Sequence, residues 1–143
     1  MLSWLAKQVI SAAMARERAG DARLVLLLLA PDVRLTFPGE TSWSGTFTGK
    51  EAVGRWQRRF VEVGLQPFCD EVAVGGWPWQ MRVAVRGHDH LDTPGGERVY
   101  ENRFVIFGRM AWGRIKEYDV YLDTEKVAAL DVWLASNEAA LMA

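Results

Sequence analysis

Residues 66–123 read QPFCDEVAVGGWPWQMRVAVRGHDHLDTPGGERVYENRFVIFGRMAWGRIKEYDVYLD. In this stretch apolar and polar residues alternate with a period of two, which is the spacing of a half-buried β-strand. The alternation predicts strands at about 66–74, 80–91, 97–108 and 113–122. The breaks between them are short, and short connections favour antiparallel neighbours because a parallel crossover needs about a dozen residues or more. The second half of the chain therefore predicts an antiparallel sheet.

Helical periodicity dominates the first half of the chain. Apolar residues at helical spacing predict an amphipathic helix over 2–18, and Gly20 suits the left-handed position that follows a helix. Asp21 is expected to cap a second, largely buried helix that runs through Leu29, and Pro31 ends it.

A strand and two more helices complete the pattern. Alternation over 33–37 predicts a short strand. Thr48 and Glu51 have the spacing of a capping box, which predicts a third helix that closes at Gly64. A last helix begins after a cap at 123–124.

The order α-α-β-α-β-β-β-β-α predicts one α+β domain over residues 1–143. In this fold a cone-shaped, curved antiparallel β-sheet wraps around three helices from the N-terminal half. The open end of such a cone is suited to a small-molecule pocket.

Composition excludes several classes of protein. Half of the 143 residues are hydrophobic and 24% are charged, as in a globular protein, and the formal net charge is −1. That charge predicts no nucleic-acid partner and no membrane partner. The longest apolar run, 24–30, is far shorter than the roughly 20 residues that span a bilayer, and no secretory signal is evident, so we expect a cytoplasmic protein. The single cysteine, Cys69, excludes an intramolecular disulfide.

Three stretches of the chain form recognisable motifs: LAPDVRLTFPG (29–39) with GTFTGKEAV (45–53), YENR (100–103), and WGRIKEYDVYLD (112–123). In this order and spacing they resemble the SnoaL-like branch of the nuclear-transport-factor-two/ketosteroid-isomerase superfamily. The resemblance implies a cone fold, a small hydrophobic ligand and a homodimer that pairs through the sheet. The superfamily contains isomerases, epoxide hydrolases and polyketide cyclases as well as non-catalytic binding or dimerisation domains, so the fold alone does not give the function.

Two chemistries of these relatives are disfavoured by the residues present. A ketosteroid isomerase needs a carboxylate before the proline that ends the first strand and a tyrosine on the first helix, but Phe37 precedes Pro38 and that helix has no tyrosine. A limonene epoxide hydrolase needs two carboxylates at one water. Here His88 replaces the first, and Val120 takes the place of the second, with Asp119 adjacent.

Cyclase chemistry needs one acid/base, for which Asp119 is a candidate, with His88 or His90 nearby. Strand alternation adds Asp89, because it shares a face with the apolar Val83 and Val85 and should point toward the helices. Counting residues along the family motif gives the opposite orientation, with His88 inside. The candidate catalytic residues are therefore Asp89, His88 and Asp119.

Four further residues are candidates for substrate binding. Asn102 and Tyr118 would orient the substrate, Glu117 would be a pocket carboxylate, and Trp43 would close the pocket. Structural alternatives stay open for several of them. Asn102 could be a buried amide bonded to backbone, and Glu117 and Asp119 could pair with Arg or Lys on an exposed face.

The sequence predicts no metal site and no cofactor. His88 and His90 could converge on one ion, but a metal site needs three or more ligands and the chain has no other histidine. It also has no phosphate loop. We therefore expect a pocket protein that binds a small hydrophobic molecule. One hypothesis is general acid/base chemistry, of isomerase, cyclase or hydrolase type, on a carbonyl or polyketide-like substrate. The alternative is a non-catalytic ligand-binding or dimerisation domain.

Overall fold

The structure is a computed structural model that describes the backbone of residues 2–142 and the side chains of residues 2–137. Its elements are α1 (Leu2–Arg18), α2 (Arg23–Leu28), β1 (Leu29–Phe37), β2 (Gly45–Thr48), α3 (Lys50–Val63), β3 (Gln66–Trp77), β4 (Gln80–Asp92), β5 (Arg98–Ala111), β6 (Arg114–Leu122) and α4 (Thr124–Met142). The predicted α+β order, with helices packed on a curved sheet, is confirmed.

The six strands form one sheet in the order β2-β1-β6-β5-β4-β3. Strands β3 to β6 pair with their sequence neighbours and are antiparallel, as the short connections predict. Strand β1 is the exception because it runs parallel to β6. The sheet is therefore mixed rather than wholly antiparallel. Connection length could not predict this pair, since α3 and four strands separate its members in the chain.

The long periodic elements lie where they were predicted. Helix α1 spans the predicted residues, and Gly64 ends α3 with a left-handed φ of 97°. The carboxylate of Asp123 accepts a 3.0 Å hydrogen bond from the Glu125 N–H and so caps α4. None of the helices in the described part of the chain is long and apolar enough to cross a membrane.

Three local predictions are wrong. Strand β1 begins at Leu29, so the second helix is shorter than predicted, and the loop before α3 contains the additional strand β2. The capping box also does not form. Gly49 is the N-cap of α3, Thr48 lies in β2, and Glu51 instead pairs with Arg55 one turn along.

The sheet has an inner face toward α1 and α3 and an outer face toward solvent. Val83, Val85 and Asp89 of β4 are buried on the inner face, as the alternation predicts. Gly87 lies between them, where a Cβ atom would come within 2.3 Å of the Phe68 carbonyl oxygen and 2.6 Å of the Phe104 ring. This close approach lets neighbouring strands and a large ring share the inner face.

Candidate functional site

A cavity of about 390 Å³ lies between α1 and the inner face of the sheet. Its wall is almost entirely aliphatic, and its size falls in the range of small-molecule sites. The side chains lining it on α1, β4, β5 and β6 include Leu2, Leu5, Val9, Ile10, Met14, Met81, Val83, Val85, Ile106, Met110 and Ile115. We call this space the main cavity.

Three buried polar side chains interrupt the apolar wall. Glu17 comes from the last turn of α1, Gln57 from the middle of α3, and Tyr118 from β6. Each is about 7% exposed. Three separate elements thus bring a carboxyl, an amide and a phenol to one side of the main cavity.

The Glu17 carboxyl group is the most perturbed of the three. Burial raises the pKa of Glu17 from 4.5 to about 8, and the neighbouring Arg18 charge opposes this only partly. Among the described residues the carboxyl group has no hydrogen-bond or ion-pair partner. Because its pKa lies near neutrality, the group exchanges a proton readily, which a general acid or base needs.

Tyr118 is held by Gln57. The Gln57 Nε2 amide donates a 2.7 Å hydrogen bond to the Tyr118 hydroxyl oxygen. Burial and the nearby charge of Glu17 raise the pKa of Tyr118, although the Gln57 hydrogen bond opposes them. The phenol therefore stays protonated and keeps its own hydrogen to donate to an oxygen atom in the cavity.

Asp89 lies in a second, much smaller cavity of about 20 Å³. Trp43 and Tyr100 line this space too, together with residues of α3 and α4. Burial raises the pKa of Asp89 from 3.8 to about 7, while the charge of His88 lowers it. The Asp89 Oδ1 atom and the Trp43 Nε1 atom are buried without a hydrogen-bond partner in the described part of the chain.

The two cavities are separate. Val85 is the β4 residue of the main cavity that is closest to Asp89 in sequence, and four residues correspond to about 13 Å along a strand. The small cavity has room for about one water molecule and no organic substrate. Asp89 is buried as predicted, but it does not line the main cavity.

Two of the other residues predicted from the sequence, Asn102 and Trp43, are buried inside the fold. Asn102 lies buried opposite Asp89 and donates 3.0 Å hydrogen bonds to the Tyr100 hydroxyl and the Asp123 carbonyl. Its amide nitrogen is thus fully used within the fold. Trp43 is buried, and its ring packs edge-on against Trp56 at 5.6 Å.

His88, Glu117 and Asp119 belong to the outer face. The His88 ring bonds to Asp70 at 2.8 Å and stacks on Phe68. Glu117 pairs with Arg34 and Arg109, and both Glu117 and Arg109 border the main cavity where the register of β5 and β6 shifts. Asp119 lies opposite Phe107, whose side chain is exposed.

Two residues of the main cavity escaped the sequence analysis. Glu17 follows Ile10 and Ala13 on the apolar stripe of α1, and Gln57 follows Val53 on that of α3. A polar residue in an apolar stripe is the signal that could have found both, although a glutamate near a helix end usually lies in solvent.

Among the described residues no group of three or more His, Cys, Asp or Glu side chains could hold a metal ion.

The model of the SnoaL-like domain matches residues 10–118. The chain belongs to the SnoaL-like family. The matched region contains Glu17, Gln57 and Tyr118 as well as Asp89 and Asn102. No curated protein matches this SnoaL-like chain.

Solved structures agree with this family. An NTF2-like protein of unknown function from Burkholderia pseudomallei is 25% identical, with a TM-score of 0.70 over 87% of this chain and 95% of that one. A Mycobacterium tuberculosis protein in complex with estradiol-17β-hemisuccinate is 23% identical, with a TM-score of 0.68 over 82% and 93%. A protein from Jannaschia sp. described as a SnoaL-like polyketide cyclase is 17% identical, with a TM-score of 0.64 over 84% and 86%.

Proposed function

We propose that this SnoaL-like protein binds a small, largely apolar carbonyl compound in the main cavity and transfers a proton to or from it through Glu17. The observation that carries the proposal is the buried Glu17 carboxyl group, which has a pKa of about 8 and lies in the wall of a 390 Å³ apolar cavity. A carboxyl group without a partner in such a wall is costly for folding, so its retention favours a functional role.

The step we propose is removal of a proton from the carbon next to a carbonyl group. The carbon–hydrogen bond breaks, its proton moves to a Glu17 carboxylate oxygen, and the electron pair moves onto the carbonyl oxygen. Tyr118 donates a hydrogen bond to that oxygen as negative charge develops on it. Return of the proton to another carbon gives isomerisation, whereas attack of the enolate on a second carbonyl gives cyclisation.

Gln57 has a positioning role in this scheme. Its hydrogen bond to the Tyr118 oxygen holds the phenol in one orientation and leaves the phenolic hydrogen for the ligand. The same contact satisfies one acceptor site of the tyrosine, which is buried in an apolar wall.

The ligand class follows from the wall of the cavity. Aliphatic side chains form nearly all of the wall, so burial of a hydrocarbon ring system in the cavity is favourable. One or two oxygen atoms on that ligand are enough to interact with the three polar side chains. The relatives described as bound to a steroid ester and as a polyketide cyclase support a ligand of this kind.

The test uses 2-tetralone, a bicyclic ketone whose α-hydrogens are acidic. Proton NMR in D₂O measures how fast these hydrogens exchange for deuterium with wild-type protein, with Glu17→Gln, and with the matched surface control Glu62→Gln. We expect exchange with wild type and with Glu62→Gln, and a loss of at least a hundredfold with Glu17→Gln. Equal rates for all three would refute the role of Glu17.

Asp89 is the alternative base. It is buried, its Oδ1 atom has no partner in the described part of the chain, and its pKa of about 7 suits proton transfer. Its small cavity argues against it, because a substrate would need space that the surrounding Trp43, Tyr100 and Leu130 fill. Asp89→Asn therefore belongs in the same exchange assay.

The second candidate function is dimerisation through the outer face of the sheet. Val105, Phe107 and Tyr121 are exposed there on neighbouring strands, with 42, 44 and 57% of their surface accessible. Exposed aromatic and β-branched side chains in one patch favour a contact between two copies. Sedimentation should show a dimer for wild type and a monomer for Phe107→Glu, and a wild-type monomer would overturn this candidate.

A further inference from the structure

Four of the seven tryptophans are exposed. Trp4, Trp77, Trp79 and Trp112 expose 64, 66, 53 and 72% of their surface. Solvent-exposed indole rings cost free energy in water, and several of them together usually mark a surface that contacts something else.

Three of these rings form a continuous platform at the tips of two hairpins. Trp77 and Trp79 stack with their centres 5.7 Å apart, and Trp79 lies 6.0 Å from Trp112. The backbone N–H of Trp112 donates a 2.7 Å hydrogen bond to the Pro78 carbonyl, which joins the β5–β6 turn to the β3–β4 turn. We call these three residues the tryptophan platform.

The backbone of Trp112 has an unfavourable conformation for a tryptophan. Its φ of 53° makes it the one described non-glycine residue with a positive φ. A bulky side chain in this left-handed conformation strains the backbone. Asparagine or glycine would adopt this turn with less strain. Tryptophan at this position therefore exposes a large ring and also destabilises the fold.

The amino-terminal end of α1 reaches the same end of the molecule. Arg18, in the last turn of α1, donates a 2.6 Å hydrogen bond to the carbonyl of Pro67 near the start of β3. Trp4 is fourteen residues earlier, about 21 Å back along the helix. That length equals about six strand residues, which places Trp4 level with residue 73 or 74 and close to the tip of β3.

The three segments that meet here have an unusual charge. Residues 1–16, 72–88 and 104–116 contain seven of the 17 Lys and Arg residues of the chain and none of its 18 Asp and Glu residues. Three of the seven, Arg86, Arg109 and Lys116, form ion pairs with carboxylates that lie outside these segments. Near the tryptophans, Lys7, Arg82 and Arg114 form no ion pair with a carboxylate among the described residues.

The main cavity extends to this end as well. The residues that line it include Leu2 and Leu5 of α1, Met81 directly after the first hairpin turn, and Met110 and Gly113 on either side of Trp112. The exposed tryptophans, the basic side chains and the apolar cavity therefore share one end of the protein.

We propose that this end, formed by Trp4, the tryptophan platform and the basic residues Lys7, Arg82 and Arg114, docks peripherally on an anionic lipid bilayer. Indole rings favour the membrane–water interface, and basic residues that form no ion pair complement anionic headgroups. A protein surface would more often combine both signs of charge. Peripheral docking requires no membrane-spanning helix, and it places the cavity beside the acyl chains in which apolar compounds dissolve.

Vesicle sedimentation tests the proposal with the 143-residue chain. Vesicles of phosphatidylcholine with about one third phosphatidylglycerol should bind wild type, and binding should weaken with added salt and with phosphatidylcholine alone. The double variant Trp77→Ser/Trp112→Ser should bind at least about tenfold more weakly, because it removes two rings from the interface. Arg82→Glu should bind at least about fivefold more weakly.

Matched variants make the result decisive. Val132→Ser removes an exposed apolar side chain from α4, Arg58→Glu reverses an exposed charge on α3, and both should bind like wild type. Circular dichroism verifies that each variant is folded. Failure of wild type to bind, equal losses in the controls, or a dimer that the tryptophan variant dissociates would each overturn the proposal.

The docking is independent of the proposed proton transfer. Glu17→Gln leaves the surface unchanged and should bind vesicles like wild type while losing ketone exchange. Each assay can therefore fail without the other.

Discussion

The Gln57 side chain donates a 2.7 Å hydrogen bond to the hydroxyl oxygen of Tyr118, and both lie in the wall of the main cavity near Glu17. Because of this contact, the Tyr118 hydroxyl group does not donate its hydrogen to Gln57. With its oxygen accepting from the amide, the tyrosine hydrogen remains for a ligand.

Tyr118→Phe should slow the exchange of 2-tetralone by about a hundredfold, because it removes the donor that stabilises the developing enolate. The change also leaves the Gln57 amide without its partner, at a cost of about 1 kcal/mol in the free energy of unfolding. The double variant Gln57→Leu/Tyr118→Phe should regain this stability and remain slow in exchange. An unchanged exchange rate in Tyr118→Phe would remove the phenol from the mechanism.

Glu17 should make the protein less stable as the pH rises. Its pKa is about 8 when folded and 4.5 as the ordinary value, so the unfolded state ionises first. The free energy of unfolding then falls as pH rises from about 4.5, and the loss is complete above about 8. Thermal melts should show that Glu17→Gln is more stable than wild type at pH 8.5, by roughly 2–5 kcal/mol, and similar to it at pH 4. A gap that is the same at both pH values would contradict the raised pKa.

Asp89 should also make the protein less stable as the pH rises, but over a lower pH range than Glu17. Its pKa rises from 3.8 to about 7, so it destabilises the folded state progressively between these values. Asp89→Asn should raise the melting temperature at pH 7.5 and change it little at pH 3.5. Ketone exchange should stay within about twofold of wild type, since the residue lies outside the main cavity.

Filling the main cavity should block ligand binding without unfolding the protein. Ala13 is buried in the cavity wall, and Ala13→Phe places a ring in the apolar space. NMR titration should show loss of 2-tetralone binding, with a free energy of unfolding within about 2 kcal/mol of wild type. Ala15→Phe, on the exposed side of the same helix, is the control and should bind normally.

Strong periodicity explains which parts of the fold could be predicted. Helix α1 and strands β3 to β6 have long, regular patterns, and burial of one face fixes both their type and their orientation. The inward position of Asp89 came from this alternation. Strand β2 and the first residues of β1 were missed because they are short or contain Pro31, and their conformation depends on pairing with distant strands.

The candidate site was harder to predict than the fold. Tyr118 was predicted from its strand, but Glu17 and Gln57 were not, because the sequence does not show which helical polar residues the sheet will bury. The extent of the domain over residues 1–143 and a homodimer through the sheet remain predictions.

Deuterium exchange of 2-tetralone, followed for wild type, Glu17→Gln and Asp89→Asn at pH 8, tests the central claim most directly. We predict that wild type and Asp89→Asn exchange at similar rates and that Glu17→Gln is at least about a hundredfold slower. The opposite pattern, with exchange lost in Asp89→Asn and kept in Glu17→Gln, would contradict the assignment of Glu17 as the proton-transfer group.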